Sequence, residues 1–186
     1  MFSWWESGMT SKIERLIEAE DWPTARLAIR AELRLDPKNH WLLTRLGLTY
    51  YEEKDYKQAL ECERRALADA PRCPLVLWDC AGALQMLGRS QDALKIYRRL
   101  IRRGISEIAF DDCGEGLAWA RGLVADCHYR MADCYRASRR PAMAIKSLTS
   151  HLTLRGPGCR SIYPLPMVRK ELQKLWAATA RPRPTV

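Results

Sequence analysis

The chain of 186 residues is 47% hydrophobic and 28% charged, and its formal net charge is +9. This length supports a core that needs neither disulfides nor a structural metal, and no apolar run approaches the roughly 20 residues of a membrane-spanning helix. The N-terminus lacks the basic and apolar regions of a secretory signal. We therefore expect a cytoplasmic protein with no membrane span, whose positive charge favours acidic partners.

Internal periodicity is the main signal in the sequence. Three alanines and two prolines recur at intervals of 34 residues: Ala25, Ala59 and Ala93, and Pro37 and Pro71. A fourth alanine, Ala144, follows Ala93 by 51 residues, so one interval is longer by 17. A period of this length indicates stacked helical hairpins, none of which buries its apolar face alone.

The second copy carries the clearest motif, and its pattern positions hold Leu43, Leu46, Gly47, Tyr50, Ala59 and Pro71. This pattern resembles the tetratricopeptide-repeat family. It departs from the family at the opening aromatic position and at the later Phe position, which Glu63 occupies. The segments Cys113-Gly114-Glu115-Gly116 and Ser161-Ile162-Tyr163-Pro164 are also similar to those of short bacterial tetratricopeptide proteins of unknown function. The resemblance implies an all-α tetratricopeptide-repeat α-solenoid of about four helix-turn-helix repeats plus a C-terminal capping helix.

In chain order, the register predicts an N-terminal extension at 1–8 and a repeat array at 9–156. The array comprises repeats at about 9–39, 40–73, 74–107 and 125–156, with an insertion at 108–124. A loop and capping helix follow at 157–180, and then a disordered tail at 181–186. The predicted helices span 9–20, 23–35, 40–53, 56–70, 74–87, 90–103, 115–138, 141–155 and 165–179.

Two segments outside the regular repeats carry their own expectations. The insertion is interpreted either as a long loop whose acids cap the next helix or as a partner-specific lip. In the capping helix, Val168, Leu172 and Trp176 share one face, and we expect all three to pack on the fourth repeat.

The resemblance also implies where a partner binds, because first helices of the family line a concave groove that holds extended or helical peptides. Trp, Tyr and Arg dominate binding hot spots. The predicted groove residues are therefore Trp41, Arg45, Tyr51, Trp78, Tyr129, Arg130 and Arg136. For the two tryptophans the alternative is packing between neighbouring repeats. Family members that bind chaperone tails use a Lys and Asn clamp, and of the equivalent positions here only Arg130 fits it.

A second hypothesis concerns the arginines of the second helices. Arg64, Arg65, Arg98, Arg99, Arg102 and Arg103 would lie on the outer wall. They form either a solvated face with helical ion pairs or a track for a nucleic-acid backbone or an acidic surface. No zinc-finger, helix-turn-helix or aromatic-basic RNA motif accompanies them.

Chemistry-bearing motifs are missing from the sequence. No glycine-rich nucleotide loop, nucleophile elbow or HExxH motif occurs, so we predict no enzymatic activity and no cofactor. The seven cysteines are odd in number. Cys127, His128 and Cys134 match no structural zinc spacing, and we predict reduced core cysteines and no metal. The sequence therefore indicates a protein-interaction scaffold, with a nucleic-acid-associated subunit as the alternative.

Overall fold

The computed structural model describes residues 8–180, and the side chains of residues 12–179. Every element in this range is helical: α1 (Gly8–Glu18), α2 (Trp22–Leu35), α3 (His40–Glu52), α4 (Tyr56–Asp69), α5 (Pro74–Met86), α6 (Ser90–Arg102), α7 (Ile105–Ala109), α8 (Leu117–Ala137), α9 (Pro141–Leu154) and α10 (Leu165–Ala180). The chain divides into two compact units, 1–87 and 88–186. The boundary falls inside the predicted third repeat. The tail at 181–186 that the sequence predicts to be disordered lies outside the described residues, as does the predicted extension except for Gly8.

In the N-terminal unit, α1 packs on α2, α2 on α3, and α3 on both α4 and α5. The helices begin where the sequence supplies caps. Asp21 accepts a hydrogen bond from the Thr24 amide, and Asp55 accepts one from the Gln58 amide, 34 residues later. Each carboxylate satisfies an amide that has no partner within the first helical turn.

In the C-terminal unit, α8 is the central helix and contacts α6, α7 and α9, while α10 packs against α9. The short helix α7 spans the boundary between the predicted third repeat and the predicted insertion and was not expected. Asp111 does not cap α8, whose N-cap residue is Gly116 and which has no side-chain cap. Its carboxylate instead accepts hydrogen bonds from Arg103 and from the Cys113 amide, which fold the insertion back on α6. The expectation of an acid-capped helix was therefore wrong.

The turn inside each hairpin repeats with the sequence register. Glu20, Lys54, Gly88 and Arg139 have φ values of 55°, 65°, 75° and 54°. Only Gly88 adopts this left-handed conformation without steric cost. The next amide, of Asp21, Asp55 or Arg140, donates to a carbonyl five residues earlier. The repeat is therefore visible in the backbone geometry of these turns as well as in the pattern of side chains.

The repeating small residues are buried, as the pattern predicts: Ala25, Ala59, Ala93 and Ala144 are at most 1% exposed. In the capping helix, Val168 and Leu172 are buried, but Trp176 is 51% exposed. The expectation that Trp176 packs on the fourth repeat was wrong. Successive residues turn by about 100°, so Trp176 lies about 80° around α10 from Val168, at the edge of its buried stripe.

Candidate partner-binding faces

The first helix of repeat two presents a preformed aromatic–cation pair. The Arg45 guanidinium lies 5.3 Å from the centre of the Trp41 ring, and its Nε donates to Glu14 Oε1 at 2.7 Å. The Arg45 side chain is 27% exposed, and Trp41 is half-buried. Because the guanidinium is already held by a carboxylate and an aromatic ring, little conformational entropy remains to be lost when a ligand contacts it.

Tyr51 of α3 lies close to α5, the helix that carries Trp78. Tyr51 packs edge-on against Tyr56, with ring centres 5.2 Å apart. Its Cε2 is the nearest atom to the side-chain position of Gly82, at 3.9 Å, and Gly82 lies one helical turn after Trp78. The side chains of Tyr51 and Trp78 are half-buried. Trp41, Arg45, Tyr51 and Trp78, hereafter the α3–α5 face, are thus neither core residues nor fully solvated ones.

A buried carboxyl near this face was not predicted from the sequence. Glu63 of α4 is 2% exposed, and its Oε2 finds no hydrogen-bond partner among the described residues. A Cβ at Gly47 would overlap its Oε1. Burial, followed by the charges of Asp79 and Cys73, raises the pKa of Glu63 well above its ordinary value, while Arg45 acts to lower it. The sign of it in the sequence was that Glu63 occupies the position where the repeat pattern has Phe.

In the C-terminal unit, a non-helical segment of the chain itself lies on α8. This segment, Arg160–Tyr163, is hereafter the strap. The Arg160 amide donates to the Ala118 carbonyl at 3.3 Å. Gly122 permits the approach, because a Cβ there would overlap the Arg160 carbonyl oxygen. The strap therefore runs directly against the backbone of α8.

The strap is also held through side chains of α8. The Asp126 carboxylate accepts hydrogen bonds from the Ser161 hydroxyl and, at 3.0 Å, from the Ile162 amide. The Tyr163 ring stacks on Tyr129 with centres 3.9 Å apart and planes at 21°. Tyr129 is consequently only 9% exposed. The strap thus covers a large part of the α8 residues that the sequence assigned to a groove.

The other two predicted groove residues of α8 also face their own chain. The Arg130 guanidinium lies 6.0 Å from the centre of the Tyr163 ring. Arg136 donates to Asp133 and, at 2.7 Å, to Glu171 of α10. Sequence periodicity cannot predict such contacts, which join residues 35 positions apart in the case of Arg136 and Glu171. The one local sign of these contacts in the sequence was Gly122, because a glycine inside a helix weakens it.

Several polar groups under the strap are buried and hydrogen-bonded. His151 is completely buried, and its Nδ1 lies 2.8 Å from the Ala125 carbonyl. That nitrogen must donate, so the proton resides on Nδ1. Burial lowers the pKa of His151. Arg155 donates to the Tyr163 carbonyl at 2.6 Å. Burial raises the pKa of Asp126, while the Ser161 and Ile162 hydrogen bonds counteract this.

The predicted outer-wall arginines differ in solvent exposure. Arg64 and Arg65 of α4 are exposed, as are Arg98, Arg99 and Arg102 of α6. Arg98 also donates to the Tyr135 hydroxyl at 2.7 Å. The Arg103 side chain is 10% exposed and pairs with Asp111 at 2.7 Å and Glu107 at 3.1 Å. Arg103 therefore stabilises the insertion within the unit.

Five of the seven cysteines are buried, whereas Cys113 and Cys159 are half-buried. Cys80, Cys127 and Cys134 are at most 3% exposed. Burial raises the pKa of Cys62 and of Cys134 to about 11, which keeps both thiols protonated and unreactive at neutral pH. Across residues 8–180, none of the helices has the length and apolar character needed to cross a bilayer.

Solved structures with the same fold come from several proteins. A fragment of MamA from Desulfovibrio magneticus RS-1 gives a TM-score of 0.70 at 12% identity, covering 92% of this chain and 83% of that one. PilF of Pseudomonas aeruginosa gives 0.70 at 20% identity, with coverage of 92% and 67%. The first tetratricopeptide domain of Spaghetti (RPAP3), bound to the HSP90 peptide SRMEEVD, gives 0.59 at 17% identity, with coverage of 76% and 94%. At these identities the likeness establishes the fold.

A curated sequence relative matches a shorter stretch. An N-terminal acetyltransferase A complex subunit-like protein of Schizosaccharomyces pombe is 30% identical over 79 residues, which is 42% of this chain. The chain spans only 11% of that relative's length. The tetratricopeptide-repeat family model matches residues 12–74 and 44–108, together more than half of the chain. With its all-α architecture and structural relatives in agreement, the chain belongs to the tetratricopeptide-repeat family.

Proposed function

We propose that this protein is an interaction scaffold that binds a segment of a partner protein on its α3–α5 face. The observation that carries the proposal is the Arg45–Trp41 pair, which is held in place by Glu14 yet remains half-accessible. Aromatic and arginine side chains of this kind dominate the energetics of protein recognition. The peptide bound to the tetratricopeptide domain of Spaghetti supports a peptide ligand by analogy of fold.

The partner segment is proposed to be acidic and to bind away from its C-terminal carboxylate. The net charge of +9 favours acidic sequences. The positions that would form a carboxylate clamp carry no suitable cation on α3. Thr44 is buried there, and its hydroxyl donates to the carbonyls of His40 and Trp41. A ligand of the clamp class therefore has no counterpart on this helix.

The test is a selection from a random peptide library on the immobilised full-length chain, followed by affinity measurements on variants. Peptides that bind the α3–α5 face should lose at least about tenfold in affinity with Arg45→Ala, because loss of a hot-spot residue costs about 2 kcal/mol or more. Arg64→Ala is the matched control, since it removes an exposed arginine from α4. Selected peptides whose affinity falls equally with both substitutions, or with neither, would refute the assignment of this face.

The nucleic-acid alternative rests on charge alone. The exposed arginines of α4 and α6 are its motivation. Binding to a nucleic-acid backbone should weaken steeply with salt, because each neutralised phosphate releases counterions. Titration of fluorescent single- and double-stranded RNA and DNA at 50 mM and 200 mM salt therefore tests it, and no binding at the lower concentration eliminates it.

A further inference from the structure

The strap has the geometry of a bound peptide. Ser161 and Tyr163 face α8, whereas Ile162 between them is 67% exposed. The backbone bends at Ile162 and Tyr163, and the Tyr163 amide donates to the Ser161 hydroxyl at 3.1 Å. The Asp126 carboxylate binds one main-chain amide and one hydroxyl, while Tyr129 and Arg130 contact the same aromatic ring. Peptide ligands are commonly held in this way, with main-chain hydrogen bonds for affinity and side-chain pockets for specificity.

We propose that this face of α8 is a recognition site for a bent peptide segment carrying a hydroxyl residue and, two positions later, an aromatic residue, and that the strap occupies the site in cis. A partner with this pattern binds α8 only after the strap has been displaced. The strap thus limits access to the second face of the scaffold. The α8 site is a second binding site beside the α3–α5 face of the proposed function, and its test does not involve the α3–α5 face.

The connection to α9 and α10 sets the strength of the cis contact. A segment joined by short linkers has an effective concentration of the order of millimolar, so a free peptide competes poorly with it. Weakening the strap without deleting it should therefore expose the site. The double substitution Ser161→Ala/Tyr163→Ala removes the hydroxyl and the stacked ring. It leaves Asp126, Tyr129 and Arg130 in place.

The experiment uses the full-length chain and a capped synthetic peptide of residues 158–166, in which Cys159→Ser prevents oxidation. Titration calorimetry should show binding to the doubly substituted chain at least about tenfold tighter than to the wild type. Ile162→Ala is the matched control, because that side chain is exposed, and it should behave as the wild type. A peptide carrying Tyr163→Ala should not bind. Equal affinity for wild type and double variant, or no binding to the variant, overturns the proposal.

A second measurement on the wild type covers the case in which the double variant fails to fold. The Ile162 amide, which donates to Asp126, should exchange its hydrogen at least about a hundredfold faster than the amides in the middle of α8, because the strap opens without global unfolding. Exchange of both at the same rate would mean that the strap opens only when the unit unfolds, and the displacement mechanism would be wrong. Either outcome leaves the Arg45→Ala comparison unaffected.

Discussion

The buried carboxyl of Glu63 should make the protein less stable as the pH rises. Its folded-state pKa lies well above its ordinary value, mainly because of burial. The folded state therefore holds a proton that the unfolded state loses near pH 4.3. Above that pH the unfolded state binds fewer protons, so the free energy of unfolding falls as pH increases, until the folded-state pKa is passed. Each pH unit in this window costs up to about 1.4 kcal/mol.

Glu63→Gln isolates this contribution, because it keeps the size of the side chain and removes its titration. We expect the stability of the variant relative to wild type to increase between pH 5 and pH 8. Glu63→Met should be more stable than wild type already at pH 5, since an unsatisfied buried oxygen costs about 1–3 kcal/mol. Replacing the carboxyl by an apolar chain also matches the apolar position of the repeat pattern.

The assay is urea unfolding of each variant at several pH values, followed by tryptophan fluorescence. Glu61→Gln is the control, because Glu61 is an exposed neighbour on α4. Taking the difference between wild type and variant cancels the titration of every other group. If the stability difference between wild type and Glu63→Gln stays constant from pH 5 to pH 8, the carboxyl is solvated and the structural account of this core is wrong.

Five further substitutions test the packing. Gly122→Ala should destabilise by about 1–3 kcal/mol by overpacking against the strap, whereas Gly82→Ala, with space for a methyl group, should stabilise by about 0.5–1 kcal/mol; urea unfolding followed by circular dichroism gives both signs. Arg139→Gly should raise the stability by up to about 1 kcal/mol by relieving a left-handed backbone, and an unchanged urea midpoint would argue against strain there. Leu172→Ala should cost about 2–5 kcal/mol, but Trp176→Ala under about 1 kcal/mol; thermal melts that rank them in the opposite order would contradict the observed cap.

The sequence predicted the hairpins well, because their information is local and periodic. Small residues such as Ala59 and Ala93 mark the positions of close helix packing, and Pro37 and Pro71 mark helix ends. The fold class, the order of the helices and the buried residues Val168 and Leu172 followed from that register.

The interactions of the C-terminal region could not be predicted in the same way. The contacts of Asp126 with the strap join residues about 35 positions apart, and nothing in the 34-residue period encodes them. Trp176 was misplaced because a hydrophobic stripe indicates a helix face but not where the partner surface ends. Glu63 was noticed as a departure from the pattern, yet its consequence depends on burial, which only the structure gives.

The central claim is that a partner segment binds on the α3–α5 face. Indole N–H signals of the seven tryptophans in a proton–nitrogen correlation spectrum of the full-length chain test it most directly. On addition of a library-selected peptide, the signals of Trp41 and Trp78 should shift. Those of Trp22, Trp119 and Trp176 should stay in place. Shifts confined to Trp22, Trp119 or Trp176, with Trp41 and Trp78 unperturbed, would show that the partner binds elsewhere and would contradict the account.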